Sequence, residues 1–264
     1  MKTGYAEPGG KGGMGMTDHV IGEVSEGVQT IRFDRIEAEN ALTAAMCEAA
    51  ADLISFAESS SRIRAILMTG GPGIFTTGHD VAELRDFAER GATGESVLRL
   101  VKTLATVDKP VVAAVDGLAA GVGTTLLLHC DYVIASEWSV FSASFAELGL
   151  PPEAAASLLA PRLMGYHHAF GLMVMGEQFD AQQAQQAGLV NRVVAAGDVE
   201  AAGQSAAEAL AAMPQEAVRM ARRLMRGDRR EVVARIDQEA AGFAELLRST
   251  AARDALNAYL DTKG

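Results

Sequence analysis

The chain has 264 residues, 49% of them hydrophobic, with 23 basic against 34 acidic side chains and two cysteines. At roughly 150 residues per domain this length allows one large domain or two small ones, and the apolar fraction excludes global disorder. A net charge of -11 argues against a dedicated nucleic-acid binder, whose phosphate contacts need clustered lysine and arginine.

Residues 1–16 hold six glycines and no periodicity, and read as a flexible leader, with Met14 and Met16 as alternative starts. From Val20 to Phe33, apolar and polar residues alternate around Glu26-Gly27, which predicts a strand pair with a tight turn. Asn40 to Ser59 carries a helical pattern, and Arg64 to Thr69 a short β-branched strand ending in Gly70-Gly71-Pro72-Gly73. Helices are expected over Asp80–Glu89 and Glu95–Val107. Strand, loop and helix then recur twice, Pro110–Val115 leading into Thr124–His129 and Tyr132–Ala135 into Val140–Ser144. That alternation predicts a mixed α/β core with parallel-type connections. After Pro151-Pro152 the chain turns Ala-rich. Helices are expected over 153–164, 167–175, 181–187, 199–213, 214–226 and 230–260, with one strand at Val190–Val194. The domain reading is a core over residues 17–200 and a helical region over 201–264. The helical C-terminal third has more apolar face than its own core can meet, which points to packing against another subunit.

Cys47 and Cys130 are far apart with no CxxC, which suggests neither a disulfide framework nor a zinc knuckle and fits a reducing, cytoplasmic setting. No apolar run approaches the roughly 18 residues of a membrane span, so no membrane partner is expected. There is no HExxH, no GxSxG elbow and no phosphate loop, and no metal site is expected. Gly121-Val122-Gly123 resembles the opening of a dinucleotide fingerprint, but the third glycine is missing.

Two loops are more informative together. Phe75-Thr76-Thr77-Gly78-His79-Asp80 and Ala119-Ala120-Gly121-Val122-Gly123 each follow a strand and open a helix. Glycine lets the main chain approach a ligand, and N–H groups at a helix start carry partial positive charge. Side by side, such loops would aim the His79 and Val122 amides at one oxygen, an oxyanion hole. Ordinary strand-to-helix turns are the alternative at this point.

Lys109-Pro110-Val111-Val112-Ala113-Ala114-Val115-Asp116-Gly117, then Ala119-Ala120-Gly121 and Cys130-Asp131, resembles the core signature of the crotonase (enoyl-CoA hydratase/isomerase) superfamily. Phe75 to Asp80 is similar to its first oxyanion segment, Asn40-Ala41-Leu42 to its early helix start, and Ala187-Gly188-Leu189-Val190 to its AGLV element. The resemblance implies an α/β spiral of ββα units whose helical C-terminal region builds a homotrimer or a dimer of trimers. It implies an acyl-CoA thioester as substrate and partner, with coenzyme A as part of that substrate and no other cofactor. The carbonyl oxygen would lie between the His79 and Val122 amides. The substrate-binding positions it implies are Glu37, Ala38, Thr76, Gly78, Asp80, Val81, Leu118, Gly121 and Phe145. Arg35 and Lys109 would stand near the nucleotide phosphates, and the His79 imidazole is a candidate contact for the pantetheine arm.

Which reaction the chain performs is a question of carboxylates. Hydration needs water activated on one side of a double bond and a proton delivered on the other, for which the resembling hydratases place two glutamates. This chain has Thr125 and Phe145 at the matching positions. Leu148-Gly149-Leu150-Pro151-Pro152-Glu153, with Ser157 and Pro161 following, instead resembles the stretch around the single catalytic glutamate of the peroxisomal-type delta-3, delta-2 enoyl-CoA isomerases. Moving a double bond from the 3,4 to the 2,3 position requires only one carboxylate that reaches both C2 and C4. Glu153 is therefore the expected acid/base, with Glu147 as a second carboxylate nearby. Asp80 reads as a helix cap, His129 as a core histidine, and His167-His168 as surface residues. The alternatives are an enoyl-CoA hydratase or another reaction of the superfamily, and a non-catalytic acyl-CoA-binding paralogue with Glu153 only at a helix start.

Overall fold

The computed structural model describes residues 19–90 and 94–263, and the expected leader lies outside them. The hairpin forms as expected. β1 (Val20–Ser25) and β2 (Val28–Phe33) pair antiparallel, Ser25 opposite Val28, through a turn in which Glu26 (φ 49) and Gly27 (φ 78) are both left-handed. That is the two-residue turn whose twist matches a hairpin, and glycine takes its second place without strain.

The next three units repeat one plan. Each strand of a first sheet is followed by a shorter strand in a second sheet and then by helix. β3 (Ala65–Thr69) leads to β4 (Ile74–Thr76), β5 (Val111–Val115) to β6 (Leu118–Ala120), and β7 (Tyr132–Ser136) to β8 (Val140–Ser142). With β9 (Phe179–Asp180) and β10 (Arg192–Val194), the orders are β1-β2-β3-β5-β7-β10 and β4-β6-β8-β9. From β2 onward the first sheet is parallel, and in the second β8–β9 is antiparallel. The chain thus winds as a spiral between two sheets.

The first sheet is buried on both faces, which is why its strands read as continuous apolar runs. Ile66, Met68, Val111, Ala113 and Val115 face the main core, which α1 (Ala44–Ser59) and α3 (Glu95–Thr106) cover. Ala65, Leu67, Val112 and Ala114 face a second cluster closed by Ala207 and Ala211 of α7 (Val199–Ala212). The remaining helices are α2 (Val81–Arg90), the single turn α4 (Val122–Thr125), α5 (Ala156–Met173), α6 (Ala181–Gln186), α8 (Gln215–Arg226), α9 (Arg229–Leu247) and α10 (Thr250–Lys263).

Several boundaries differ from expectation, each for a local reason. The first helix starts at Ala44, not Asn40: Thr43 caps it, accepting from Met46 N at 3.2 Å. Asn40 is buried in a left-handed conformation, where its Nδ2 donates to the Phe33, Ile74 and Phe75 carbonyls and its Oδ1 accepts from Arg35 N. Val140–Ser142 is a strand rather than the start of a helix, because β6 pairs with it. The helix expected from Thr124 starts at Val122 and runs on as a 3-10 turn over Leu126–His129. Helix α5 starts at Ala156, so Glu153 precedes it, and Ala154 (φ 65) and Ala155 (φ 56) are left-handed. The same helix breaks at Gly165 (φ 75), between the two helices the sequence predicts. The long terminal helix divides at Arg248-Ser249, where Ser249 Oγ accepts from Ala252 N at 3.1 Å and starts α10.

Candidate functional site

Pairing of β4 with β6, Thr76 beside Ala119, brings the two glycine loops together. Their closeness is measured at Gly78. A Cβ there would lie 2.6 Å from the Ala120 carbonyl oxygen and 3.3 Å from Val122 N, so only glycine lets the loops meet. His79 is bridged to Leu42: Leu42 N donates to Gly78 O at 2.7 Å and Asp80 N to Leu42 O at 3.0 Å. The Gly78 carbonyl and the His79 N–H belong to one trans peptide unit and point in opposite directions, so the N–H of His79 points away from Leu42. The Val122 amide is at the first position of α4, where no intrahelical acceptor exists. The contact at Gly78 sets the Val122 amide against the segment that carries the His79 N–H.

Glu153 approaches from the turn before α5. Its Oε1 lies 2.7 Å and its Oε2 3.0 Å from His79 Nε2, and the two side chains are 13% and 14% exposed. Burial pushes the imidazole down, but the Glu153 carboxylate, its hydrogen bond and the charge of Glu83 outweigh this, and the imidazole is raised above its usual value. The turn itself is held from below. His129 Nε2 donates to Ala154 O at 2.7 Å, and its pKa is lowered to about 4, chiefly by burial. In that buried site the ring is neutral at pH 7 and must carry its proton on Nε2.

Both His79 and Glu153 line a cavity of about 270 Å³ whose other walls are apolar, among them Leu84 and Phe87 of α2, Val97 and Val101 of α3, and Ala240 and Phe243 of α9. A second carboxylate on its wall, Asp237, is tied to Lys102 at 2.5 Å.

The expected site residues divide. Thr76, Gly78, His79, Gly121 and Val122 come together with Glu153. The 3-10 turn Ile36–Ala38, which holds Glu37 and Ala38, adjoins them: Glu39 O accepts from Thr77 N at 3.2 Å, and Thr76 Oγ1 donates to Asn40 O at 2.6 Å. Asp80 caps α2 through Ala82 N and Glu83 N, as read, and pairs with Arg35 at 2.7 Å. Val81, the first residue of α2, packs on the small cluster of Leu84, Leu150, Leu247 and Leu256. Leu118 stands at the start of β6, paired with Ile74. Phe145 is 4% exposed inside the main core, and Thr125 is fully buried, its hydroxyl on Val122 O.

Other expectations are corrected. The His79 imidazole, expected as a contact for the pantetheine arm, has its Nε2 engaged by Glu153. Lys109 is 6% exposed, and its ammonium donates to the Ala57 and Ser60 carbonyls, a structural use that removes it from any phosphate. Arg35 donates from Nη1 to both Asp80 and the Ala41 carbonyl. Glu147 is exposed beside Gly176, where a Cβ would meet its Oε1 at 2.5 Å, and it does not line the cavity that Glu153 lines. Among the described residues, no cluster of three His, Cys, Asp or Glu side chains could hold a metal ion.

The family model for enoyl-CoA hydratase/isomerase matches residues 23–264. The chain belongs to the enoyl-CoA hydratase/isomerase family. It is 35% identical over 206 residues to the 1,2-epoxyphenylacetyl-CoA isomerase of Escherichia coli, covering 75% of this chain and 78% of that one. It is 33% identical over 255 residues to a "Probable enoyl-CoA hydratase" of Rhodobacter capsulatus, covering 94% and 97%. Among solved structures, the enoyl-CoA hydratase/isomerase of Pseudoalteromonas atlantica superposes with a TM-score of 0.87 at 36% identity, covering 93% of this chain and 98% of that one. The spiral of two sheets with its helical C-terminal region is therefore the crotonase fold, and the chain is an acyl-CoA enzyme of that superfamily.

What the sequence missed is the side-chain partnership at the site. His79 and Glu153 are 74 residues apart and no spacing rule joins them. The contribution of α9 to the cavity was legible only as an apolar face without a partner.

Proposed function

We propose that this protein is a delta-3, delta-2 enoyl-CoA isomerase with Glu153 as its single acid/base. The observation that carries the reading is the pairing of one carboxylate not matched by a lysine or arginine, Glu153 on the wall of a mostly apolar cavity beside the two glycine loops, with uncharged side chains at both positions where a hydratase would need its acids; the other carboxylate on that wall, Asp237, is held by Lys102. The thioester oxygen of a 3-enoyl-CoA accepts from the His79 and Val122 amides. Glu153 takes a proton from C2: the C–H bond breaks, an O–H bond forms, and the electron pair spreads onto the thioester oxygen as a dienolate. The amides stabilise that charge where it develops. The same carboxyl group then returns a proton to C4, and the double bond stands at 2,3. The acyl tail lies in the cavity between α2, α3 and α9, which exceeds the ~150 Å³ that accepts a benzene-sized guest.

Glu153→Gln tests the assignment. Removing a general acid/base costs about 10²–10⁴-fold, so turnover of a 3-enoyl-CoA should fall by about 10³-fold while acyl-CoA binding persists. Turnover retained within a few-fold would contradict it.

The expected homotrimer or dimer of trimers belongs to the same proposal. Tyr166, Leu224 and Met225 are 64%, 74% and 87% exposed on α5 and α8, and association would cover apolar surface of this kind. Light scattering should give three or six times the chain mass, and a monomer mass would contradict it.

A further inference from the structure

We propose that the His79 side chain is a positioning residue for Glu153, one that holds the carboxylate at the cavity wall and makes its proton transfer depend on the charge of the imidazole. The inference rests on Glu153 being the proton carrier of the proposed reaction.

Nε2 lies within hydrogen-bond distance of both carboxylate oxygens, at 2.7 and 3.0 Å. A donor shared in this way fixes the plane of the carboxylate as well as its place, and both side chains are only about one-seventh exposed. A buried charge-assisted bond of this kind is stronger than its surface counterpart. Geometry therefore gives His79 two distinct offices. Its main chain belongs to the amide pair with Val122, and its ring orients the base. A substitution at position 79 keeps the first and changes only the second, which makes the ring's part separable by mutation.

The charge environment favours a cationic ring. Facing His79 are Glu153, Glu83 of α2 and Glu95 of α3, the last two sharing a smaller cavity with it. Asp80 is its chain neighbour but is matched by Arg35, and Asp237 on α9 is matched by Lys102. The Cys47 thiol of α1, pushed up to about 12 by burial first and by Glu153 next, stays neutral and adds no charge. The carboxylates are thus in excess around one imidazole.

The sign of the effect follows. A cation 2.7 Å from the carboxylate attracts it, and that attraction is lost when the carboxylate takes the C2 proton. When the ring loses its proton, Nε2–H still donates to the carboxylate, so the geometry persists while proton transfer no longer has to give up that attraction. Turnover should therefore rise with pH as His79 deprotonates, above the usual imidazole range near 6.5.

Two measurements test this. In the ligand-free protein, imidazole NMR should show His79 titrating above the usual range, and Glu153→Gln should lower that midpoint by about one pH unit or more. In kinetics with a 3-enoyl-CoA, the wild type should gain about tenfold in kcat across the His79 titration. His79→Gln, which can still donate a hydrogen bond, should give a flat profile within about tenfold of the wild-type maximum. His79→Phe, which cannot, should be flat and lower again by about tenfold or more. A His79 midpoint that Glu153→Gln does not move, or a His79→Phe enzyme with the wild-type profile, would overturn the inference. Absence of any wild-type turnover would be a failure of the proposed reaction instead, and the NMR titration would still decide the pairing.

Discussion

His129 Nε2 lies 2.7 Å from the carbonyl oxygen of Ala154, the residue that follows Glu153. Two successive left-handed alanines are an unfavourable way to leave a glutamate, and this bond is one of the contacts that hold the turn against that preference. His129→Ala should leave a buried carbonyl unpaired, costing about 1–3 kcal/mol of stability, and should also lower kcat by loosening Glu153. The same ring sets a pH dependence. Its folded pKa of about 4 lies below the unfolded value near 6.5, so the stability it contributes is present above pH 6.5 and is lost as pH falls toward 4. Urea midpoints of the wild type and His129→Gln, compared from pH 7 to 4, should diverge in favour of the variant as pH falls, and parallel curves would contradict this.

Behind the same turn, Glu239 of α9 caps α5 from outside. Its Oε1 accepts from Ser157 N at 2.9 Å and from Ser157 Oγ at 2.5 Å, replacing the side-chain cap that Ala155 cannot supply. Its Oε2 is buried without a hydrogen-bond partner, and burial raises this carboxyl above the usual range. A raised carboxyl means that the fold prefers the protonated form. Relative to Glu239→Gln, the wild type should therefore lose stability as pH rises above about 4.5 and then level off. Denaturant melts at several pH values check this, and a difference that stays constant with pH would be the contrary result.

Gly78→Ala tests the contact between the loops. The added methyl would meet the Ala120 carbonyl at 2.6 Å, at a backbone position with φ 87, so the loops must separate. Losing one oxyanion donor costs about 10²–10³-fold in kcat, and a loss of that order is expected with the thermal melt shifted by only a few degrees. Activity near wild type would mean that the two amides do not share a substrate oxygen.

Ala240→Phe addresses the acyl tail. Position 240 is on the wall that α9 gives to the cavity, and a phenyl ring there would fill much of about 270 Å³. KM for long-chain 3-enoyl-CoA should rise about tenfold or more, while that for the shortest substrates changes little. Equal effects on both would place the tail elsewhere.

The long buried strands were legible because their β-branched runs have no other use, and the hairpin because Glu26-Gly27 interrupts a clear alternation. The strands β4, β8 and β9 were not, since two or three residues cannot display a period. Asn40 was misread as helix because nothing local reveals that its amide ties four backbone groups from three segments. At the site, glycine spacing pointed to the two amides and the Pro-Pro-Glu stretch to Glu153. The alanines that follow Glu153 favour helix by propensity, and tertiary contacts from His129 override them. The ring of His79 was missed for the same reason: its role depends on a partner that only the fold supplies.

The most direct measurement offers the wild-type enzyme a 3-enoyl-CoA and a 2-enoyl-CoA separately and follows mass and absorbance. Conversion of the 3-enoyl thioester to the conjugated 2-enoyl product with no change in mass is the predicted result. Addition of the mass of one water to the 2-enoyl thioester, without isomerisation of the 3-enoyl one, would contradict the account.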